Sequence, residues 1–272
     1  MELIFIIICI LAMISASIFD IRYREIPDIH WFIIGATGVV AMLWSHIELP
    51  WILMTFGCFL YMLEMLTDLI PEGRFLLLWY IATTSLFAAA AIINRDTSMT
   101  AISIPVCICL FRAFYQFGIL NGGADAKALM SLSMAFPIYP VGYSLLTTVE
   151  GSIQALFPIS ILFLATVITM ASALPIAMSN IIKKKDLDMR NLLLVRKRIS
   201  DVRTTHCWIR QDIVDGELTY VKDADESALD RLKAHGLEYV YVSPAIPFIV
   251  PITLSLVFCI FVIDPIMLPF ML

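Results

Sequence analysis

Two separated stretches of this chain hold a carboxylate that could take part in acid–base chemistry. Residues 121–127 read NGGADAK and place Asp125 behind two glycines, Gly122 and Gly123. Glycine lets one main chain approach another closely, so this pair can present Asp125 to an extended peptide. A carboxylate beside long apolar runs is costly unless it serves a purpose. The alternative interpretation is that Asp125 only caps the next helix.

The second stretch, residues 19–28, reads FDIRYREIPD and ends an apolar run with Asp20. Two carboxylates at two helix ends can form an acid/base dyad, in which one holds a proton and the other activates water. Because neighbouring carboxylates do not easily both ionise, such a pair shares one proton and needs no metal or cofactor. The residues therefore favour hydrolysis by Asp20 and Asp125, with neither assigned the acid role in advance.

Together these stretches resemble the archaeal preflagellin and type IV prepilin peptidases, membrane aspartic proteases of the GxGD type. In that family an Asp, basic residues and Ile-Pro close the first helix. The matching residues are Asp20, Arg22, Arg24, Ile26 and Pro27.

The family's second motif is a Gly-x-Gly followed by Asp, often with Lys two positions later. Gly122, Asp125 and Lys127 match it, whereas Ala124 stands where the family has its second glycine. Residues 239–256 resemble the approach to the family's last helix. The three similar elements occur in the family's order along the chain.

The resemblance implies an aspartic endopeptidase that removes short basic leader peptides from preflagellins or type IV prepilin-like proteins. Many bacterial relatives add a zinc-binding CxxC pair and a methyltransferase activity. The close cysteine pair here is Cys107-x-Cys109 within an apolar run, and the four histidines show no ligand spacing. We therefore expect no metal, no cofactor and no methylation.

Two other functions are compatible with paired acids. A presenilin-like protease shares the GxGD motif but cuts its substrate inside the hydrocarbon, whereas both aspartates here follow or precede apolar runs. A transporter could use the pair to carry protons or cations. Inverted or parallel repeats would support a transporter, and the sequence shows none.

Composition predicts a membrane protein. Hydrophobic residues make up 60% of the 272 residues, charged residues make up 15%, and the mean hydropathy is +0.90. A soluble domain of this length does not need so many apolar residues. The net charge of −5 argues against a nucleic-acid partner.

The apolar runs predict an all-α membrane protein with about eight transmembrane helices and a small α+β insert before the last. We divide it into a catalytic core of about seven helices (residues 1–182), a cytoplasmic domain (183–245) and the last helix (246–272). The predicted spans are residues 3–19, 29–44, 49–66, 75–93, 101–120, 126–143, 153–182 and 246–272.

The placement of cations predicts the orientation in the plasma membrane. If the N-terminus is outside, every Lys and Arg lies in an inside loop except Arg95 and Arg112. This is the bias that the positive-inside rule describes. Both termini are then outside, and Asp20 and Asp125 lie at the cytoplasmic face.

The polar insert should contain a hairpin at residues 213–221, a short helix at 223–235 and a strand at 238–242. Its charges are segregated, with a basic half at 183–210 and an acidic half at 211–243. The basic half can lie on anionic lipids. The acidic half either keeps the domain soluble or steers a basic leader toward the aspartates.

Other charged residues compete for places near the dyad. Glu64 and Asp68 share one helix face and could line the cleft, although acids at helix ends usually lie in the head-group region. Asp28 should cap the second helix, and Arg112 should extend to the membrane surface. Lys127 either favours the ionised form of Asp125 or anchors the chain at the cytoplasmic face.

Overall fold

The computed structural model describes residues 2–45, 47–67, 70–71, 73–120, 122–138, 140, 156–183, 193–202, 207–214, 216–221, 224–225 and 227–262. The chain divides into two compact units. The first comprises Met1–Thr166 and Pro247–Leu272, and the second comprises Val167–Ile246. Each is described by itself.

Apolar helices build the first unit. They are α1 (Glu2–Tyr23), α2 (Ile29–Ser45), α3 (Leu49–Leu66), α4 (Arg74–Ile93), α5 (Ser98–Gln116), α6 (Gly123–Ala135), the start of α7 (Phe157–Lys183) and, later in the chain, α10 (Ile249–Phe261). A helix satisfies its own main-chain hydrogen bonds, which is what an apolar solvent requires.

Five helical segments in the described part of the chain are long and apolar enough to cross a membrane. They are Leu3–Tyr23, Leu49–Leu66, Arg74–Ile93, Arg95–Gln116 and Phe157–Ile182. The apolar helices Ile29–Trp44 and Ile249–Phe261 are shorter. The chain is therefore mostly helical as predicted, but these residues do not confirm eight spans.

The predicted sixth span differs most from the structure. Helix α6 has 13 residues, so it is about 20 Å long, against about 30 Å for the hydrocarbon core. It ends before Pro137, because proline lacks an amide hydrogen and disfavours helical geometry at the residue before it. The rest of this predicted span includes residues 139 and 141–143, which lie outside the described residues.

Helix α6 packs against both α2 and α5, while α1 packs against α2 and α10. Gly38 of α2 makes the close approach of α6 possible. A β-carbon at this position would overlap the main-chain carbonyl of Met134 and lie 2.7 Å from the Cα of Ala135. This contact sets the position of the helix that carries Asp125.

The second unit contains the remainder of α7 and the predicted α+β insert. Strand β5 (Tyr239–Pro244) pairs antiparallel with β1 (Val195–Arg198) and β2 (Cys207–Ile209), and β3 (Gln211–Val214) forms a hairpin with β4 (Glu217–Tyr220). Helices α8 (Ile199–Val202) and α9 (Ser227–Ala234) contribute to its apolar core. The predicted hairpin, helix and last strand are all present.

An ion-pair network uses part of the acidic half of the insert. Arg231 Nη2 lies 2.6 Å from Asp212 Oδ2 and 2.8 Å from Asp225 Oδ1. The Arg231 guanidinium holds the pKa of the Asp212 carboxyl below its usual value. Two of the acids that could steer a basic leader are therefore already paired within the unit.

Candidate active site

Asp20 lies in the last turn of α1 and contacts the beginning of α10. The main-chain N–H of Ile249 donates to its Oδ2 at 3.3 Å. A helix N-terminus has unpaired N–H groups and a partial positive charge, so it suits a carboxylate. The hydroxyls of Ser17 and Thr253 lie 2.8 Å apart and join the same two helices. A contact with Ile249, which is 229 positions away in the sequence, thus helps to fix the location of Asp20.

Asp125 lies in the first turn of α6, and its carboxylate folds back over Gly122 at the start of the helix. A β-carbon at position 122 would overlap Oδ2 of Asp125 and lie 2.9 Å from its Cγ. A larger residue here would force the Asp125 carboxylate to move, so Gly122 allows the carboxylate to hold this position. At Gly123 a β-carbon would make an ordinary contact, 3.5 Å from the Tyr115 hydroxyl.

The two aspartates interact electrostatically although they are far apart in the sequence. Burial, and secondly the negative charge of Asp20, raise the pKa of Asp125 from 3.8 to about 7. Asp125 lies outside the five segments long enough to cross a membrane. A pair of this kind holds one proton near neutral pH and titrates as a unit.

Lys127 was expected either to favour the ionised form of Asp125 or to anchor the chain at the cytoplasmic face. In the structure it also forms an ion pair with Asp28. Its Nζ lies 2.8 Å from Oδ1 and 2.9 Å from Oδ2 of Asp28. Asp28 directly precedes α2, and its main-chain carbonyl accepts from Phe32 N at 3.1 Å, as at the expected N-cap position. Its carboxylate binds the Lys127 amine. The ion pair joins the segment after α1 to the first turns of α6.

Glu64 and Arg112 form an ion pair inside the first unit. Arg112 Nη2 lies 3.1 Å from Glu64 Oε1, and the Tyr80 hydroxyl donates to Oε2 at 2.9 Å. Glu64 is 7% exposed and the Arg112 side chain is 25% exposed, so the acid is covered by the helices around it. The extension of Arg112 toward the membrane surface stays a prediction. The other predicted supporting acid, Asp68, lies outside the described residues.

A cavity of about 640 Å³ lies beside the turn that carries Asp125. Its walls include both ion pairs just described, Glu64 with Arg112 and Asp28 with Lys127. The predicted supporting residue Gly123 also borders it. Neither Asp20 nor Asp125 is among the side chains that line it.

His30 is a supporting residue that sequence reasoning missed. It is 6% exposed, and its Nδ1 lies 2.9 Å from the Pro27 carbonyl oxygen, which can only accept. In the neutral ring Nε2 then accepts from the Ser15 hydroxyl, 3.0 Å away. The ring also packs on Phe19, beside Asp20. A single histidine without a spaced partner gives no sequence signal for this role.

The described residues contain no group of three His, Cys, Asp or Glu side chains arranged to hold a metal ion. Cys107 and Cys109 lie within α5, as the sequence predicts.

No family model matches the chain. A preflagellin peptidase of Methanocaldococcus jannaschii is 26% identical over 152 residues, which cover 54% of this chain and 65% of the relative. A preflagellin peptidase of Methanococcus voltae is 29% identical over 171 residues, which cover 59% and 71%. The match thus spans a little under two thirds of the first relative's length. These two relatives confirm the resemblance to preflagellin peptidases that the motifs around Asp20 and Asp125 predict.

Proposed function

We propose that this chain is an aspartic endopeptidase of the preflagellin peptidase type. Its substrates would be preflagellins or type IV prepilin-like proteins, in which a short basic leader precedes a hydrophobic helix. The observation that carries the proposal is the placement of Asp125, where burial and, secondly, the negative charge of Asp20 raise the pKa of its carboxyl to about 7. The names of the two relatives supply the substrate class.

In this proposal the dyad performs hydrolysis with one shared proton. Asp125 holds the proton in the resting state and donates it to the oxygen of the scissile carbonyl. Asp20 takes a proton from the attacking water as the new C–O bond forms. Collapse of the tetrahedral intermediate breaks the C–N bond, and a carboxyl proton passes to the leaving nitrogen.

The positive-inside bias supports a location for the reaction. It favours an orientation with both termini outside and both aspartates at the cytoplasmic face of the plasma membrane. A cationic leader attached to a membrane helix brings its scissile bond to that face. This favours the shallow cut of a leader peptidase over a cut inside the hydrocarbon.

The direct test is cleavage of a leader-bearing peptide by the purified protein in detergent. Asp20→Asn and Asp125→Asn should each lower kcat by about 10²–10⁴-fold, the usual contribution of an acid or base. Asp96→Asn is the matched control, because Asp96 is an exposed acid in the short 3-10 helix Arg95–Thr97.

Near-normal turnover by either dyad variant would remove that residue from the mechanism. A wild-type protein that cleaves no leader peptide but drives proton-coupled uptake in vesicles would instead be a transporter. Cleavage within the hydrophobic helix of the substrate, away from the leader boundary, would favour the presenilin-like alternative.

A further inference from the structure

The three-stranded sheet of the second unit has one end from which both of its connections to apolar helices leave. Strand β1 begins at Val195 and β5 ends at Pro244, and their antiparallel register sets Val195 opposite Val242. Because antiparallel neighbours run in opposite directions, the start of β1 and the end of β5 lie together. We call this the tethered end of the sheet, since β1 follows α7 and β5 precedes α10 along the chain.

A hydrogen bond joins the tethered end to α7. The Asn180 side-chain amide, in the last turn of α7, donates to the main-chain carbonyl of Leu194 at 2.8 Å, and Leu194 directly precedes β1. Helix α7 has 27 residues, so it is about 40 Å long, against about 30 Å for the hydrocarbon core. A membrane-crossing helix of this length brings the tethered end to the head-group region.

Large apolar side chains are exposed at the tethered end. Trp208 of β2 is 51% exposed, and it pairs with Ser243, the residue before the last of β5. Leu193, two residues before β1, is 49% exposed, and Ile246, two residues after β5, is 36% exposed. Tryptophan is enriched at membrane–water interfaces, where its ring meets both apolar chains and polar head groups. The apolar side chains at this end therefore suit a membrane surface.

An arginine lies on the same side of the sheet as Trp208. Arg196 pairs with Tyr241, and Trp208 pairs with Ser243. Because residues two apart on a strand point to one side, Tyr241 and Ser243 share a side, and so do their partners. Arg196 is exposed, and its guanidinium carbon lies 4.5 Å from the centroid of the Tyr239 ring on this side. The exposed side thus combines aromatic rings with a cation.

The other cations of β1 are placed differently. Lys197 pairs with Val240, which is 1% exposed and belongs to the apolar core of the unit, so Lys197 points to the opposite side. Arg198 shares the side of Arg196, but it is further from the tethered end and lies 3.8 Å from Glu238. Arg196 is therefore the cation of β1 best placed to bind an anion there. Lipid phosphates are suitable anions, whereas a basic leader would be repelled.

We propose that the tethered end of the sheet docks on the anionic phospholipid surface of the membrane. Trp208, Leu193 and Ile246 enter the head-group region, and Arg196 binds lipid phosphate. A weak contact suffices, because the two connections to apolar helices keep the sheet at a high effective concentration near the surface. The inference goes beyond the proposed peptidase activity and does not depend on it.

The test follows the fluorescence of Trp208 in the full-length protein, held in nanodiscs of phosphatidylcholine alone or mixed with phosphatidylglycerol. The Trp208 signal is the difference between the wild type and Trp208→Phe. With phosphatidylglycerol present, a nitroxide on lipid head groups should quench Trp208, and acrylamide in the water should not. In phosphatidylcholine alone, acrylamide should quench it. High salt should restore quenching by acrylamide, because it screens charges at the surface.

Arg196→Gln and Lys197→Gln are the matched variants, each with its own Trp208→Phe reference. Each removes one cation from β1, but only Arg196 lies on the proposed docking side. In discs with phosphatidylglycerol, the ratio of docked to undocked sheet should fall about fivefold in Arg196→Gln, the usual contribution of one basic residue near an anionic surface. Lys197→Gln should leave the ratio unchanged. Titration of the wild type with phosphatidylglycerol tests the docking even when Arg196→Gln does not fold.

Three results would overturn the proposal. They are equal quenching of Trp208 by acrylamide in the two kinds of disc, equal effects of Arg196→Gln and Lys197→Gln, and protection of Trp208 by a single-stranded oligonucleotide in phosphatidylcholine discs, which would assign the surface to nucleic acid. The fluorescence needs no substrate, so it separates this proposal from the proposed function. A wild type that docks but cleaves no leader peptide would contradict only the proposed function.

Discussion

Lys127 and Asp28 form a two-pronged ion pair, with Nζ 2.8 Å from Oδ1 and 2.9 Å from Oδ2. The pair connects two segments that carry the dyad, because Lys127 follows Asp125 by two residues and Asp28 follows Asp20 by eight. Its side chains are 31% and 46% exposed. A pair this exposed contributes only about 0–1 kcal/mol to stability, so we expect its main effect on the geometry of the site.

Breaking this pair should lower activity more than stability. Lys127→Met and Asp28→Asn should each reduce kcat/KM several-fold, with a melting temperature close to that of the wild type. The kcat/KM of the double variant should be no lower than that of the less active single variant, because both substitutions remove the same ion pair. Additive losses in a peptide-cleavage assay would show that the two residues act independently.

The pH dependence of cleavage should follow the proton on the dyad. Because the pKa of Asp125 is raised to about 7, the singly protonated pair is lost as the pH rises above that value. We expect kcat/KM to fall about tenfold per pH unit on the alkaline side. A rate that stays constant from pH 6 to pH 9 in the peptide assay would contradict a shared proton.

The raised pKa of Asp125 also predicts how the free energy of unfolding changes with pH. The folded pKa of Asp125 lies above the unfolded value of 3.8, so the folded protein binds this proton more tightly. The resulting stability is fully present below about pH 4 and is lost as the pH rises to about 7.

Asp125→Asn should therefore be inactive yet more stable, relative to wild type, at pH 8 than at pH 5. The difference in melting temperature should grow by about 5–10 °C. The pKa shift acts over about two pH units between pH 5 and pH 7, and about 2–4 °C corresponds to 1 kcal/mol in a chain of this size. Thermal unfolding in detergent at both pH values measures it. Asp96→Asn, which changes an exposed acid, is the matched control at the same two pH values.

Gly122 should be less replaceable than its neighbour Gly123. In Gly122→Ala the new methyl group would overlap the Asp125 carboxylate, so we expect at least a tenfold loss of kcat with little change in expression. Gly123→Ala should lose less, because its methyl group meets Tyr115 at an ordinary 3.5 Å. Equal losses in the two variants would remove the close approach at Gly122 as an explanation.

The amino-acid sequence by itself determined the class of protein and the candidate chemistry. Apolar runs with few charges predict membrane helices, and the Asp-Gly turn with its flanking alternation predicts the β3–β4 hairpin. These signals are local, because a helix or hairpin forms from residues close together in the chain. The motifs around Asp20 and Asp125 were recognisable for the same reason.

The tertiary structure decided what each charge contacts. The partners of Asp20, Glu64 and Lys127 are Ile249, Arg112 and Asp28, and each pair joins separate helices or segments. No spacing along the chain encodes such contacts, and the partner of Asp20 is a main-chain amide, which every residue except proline has.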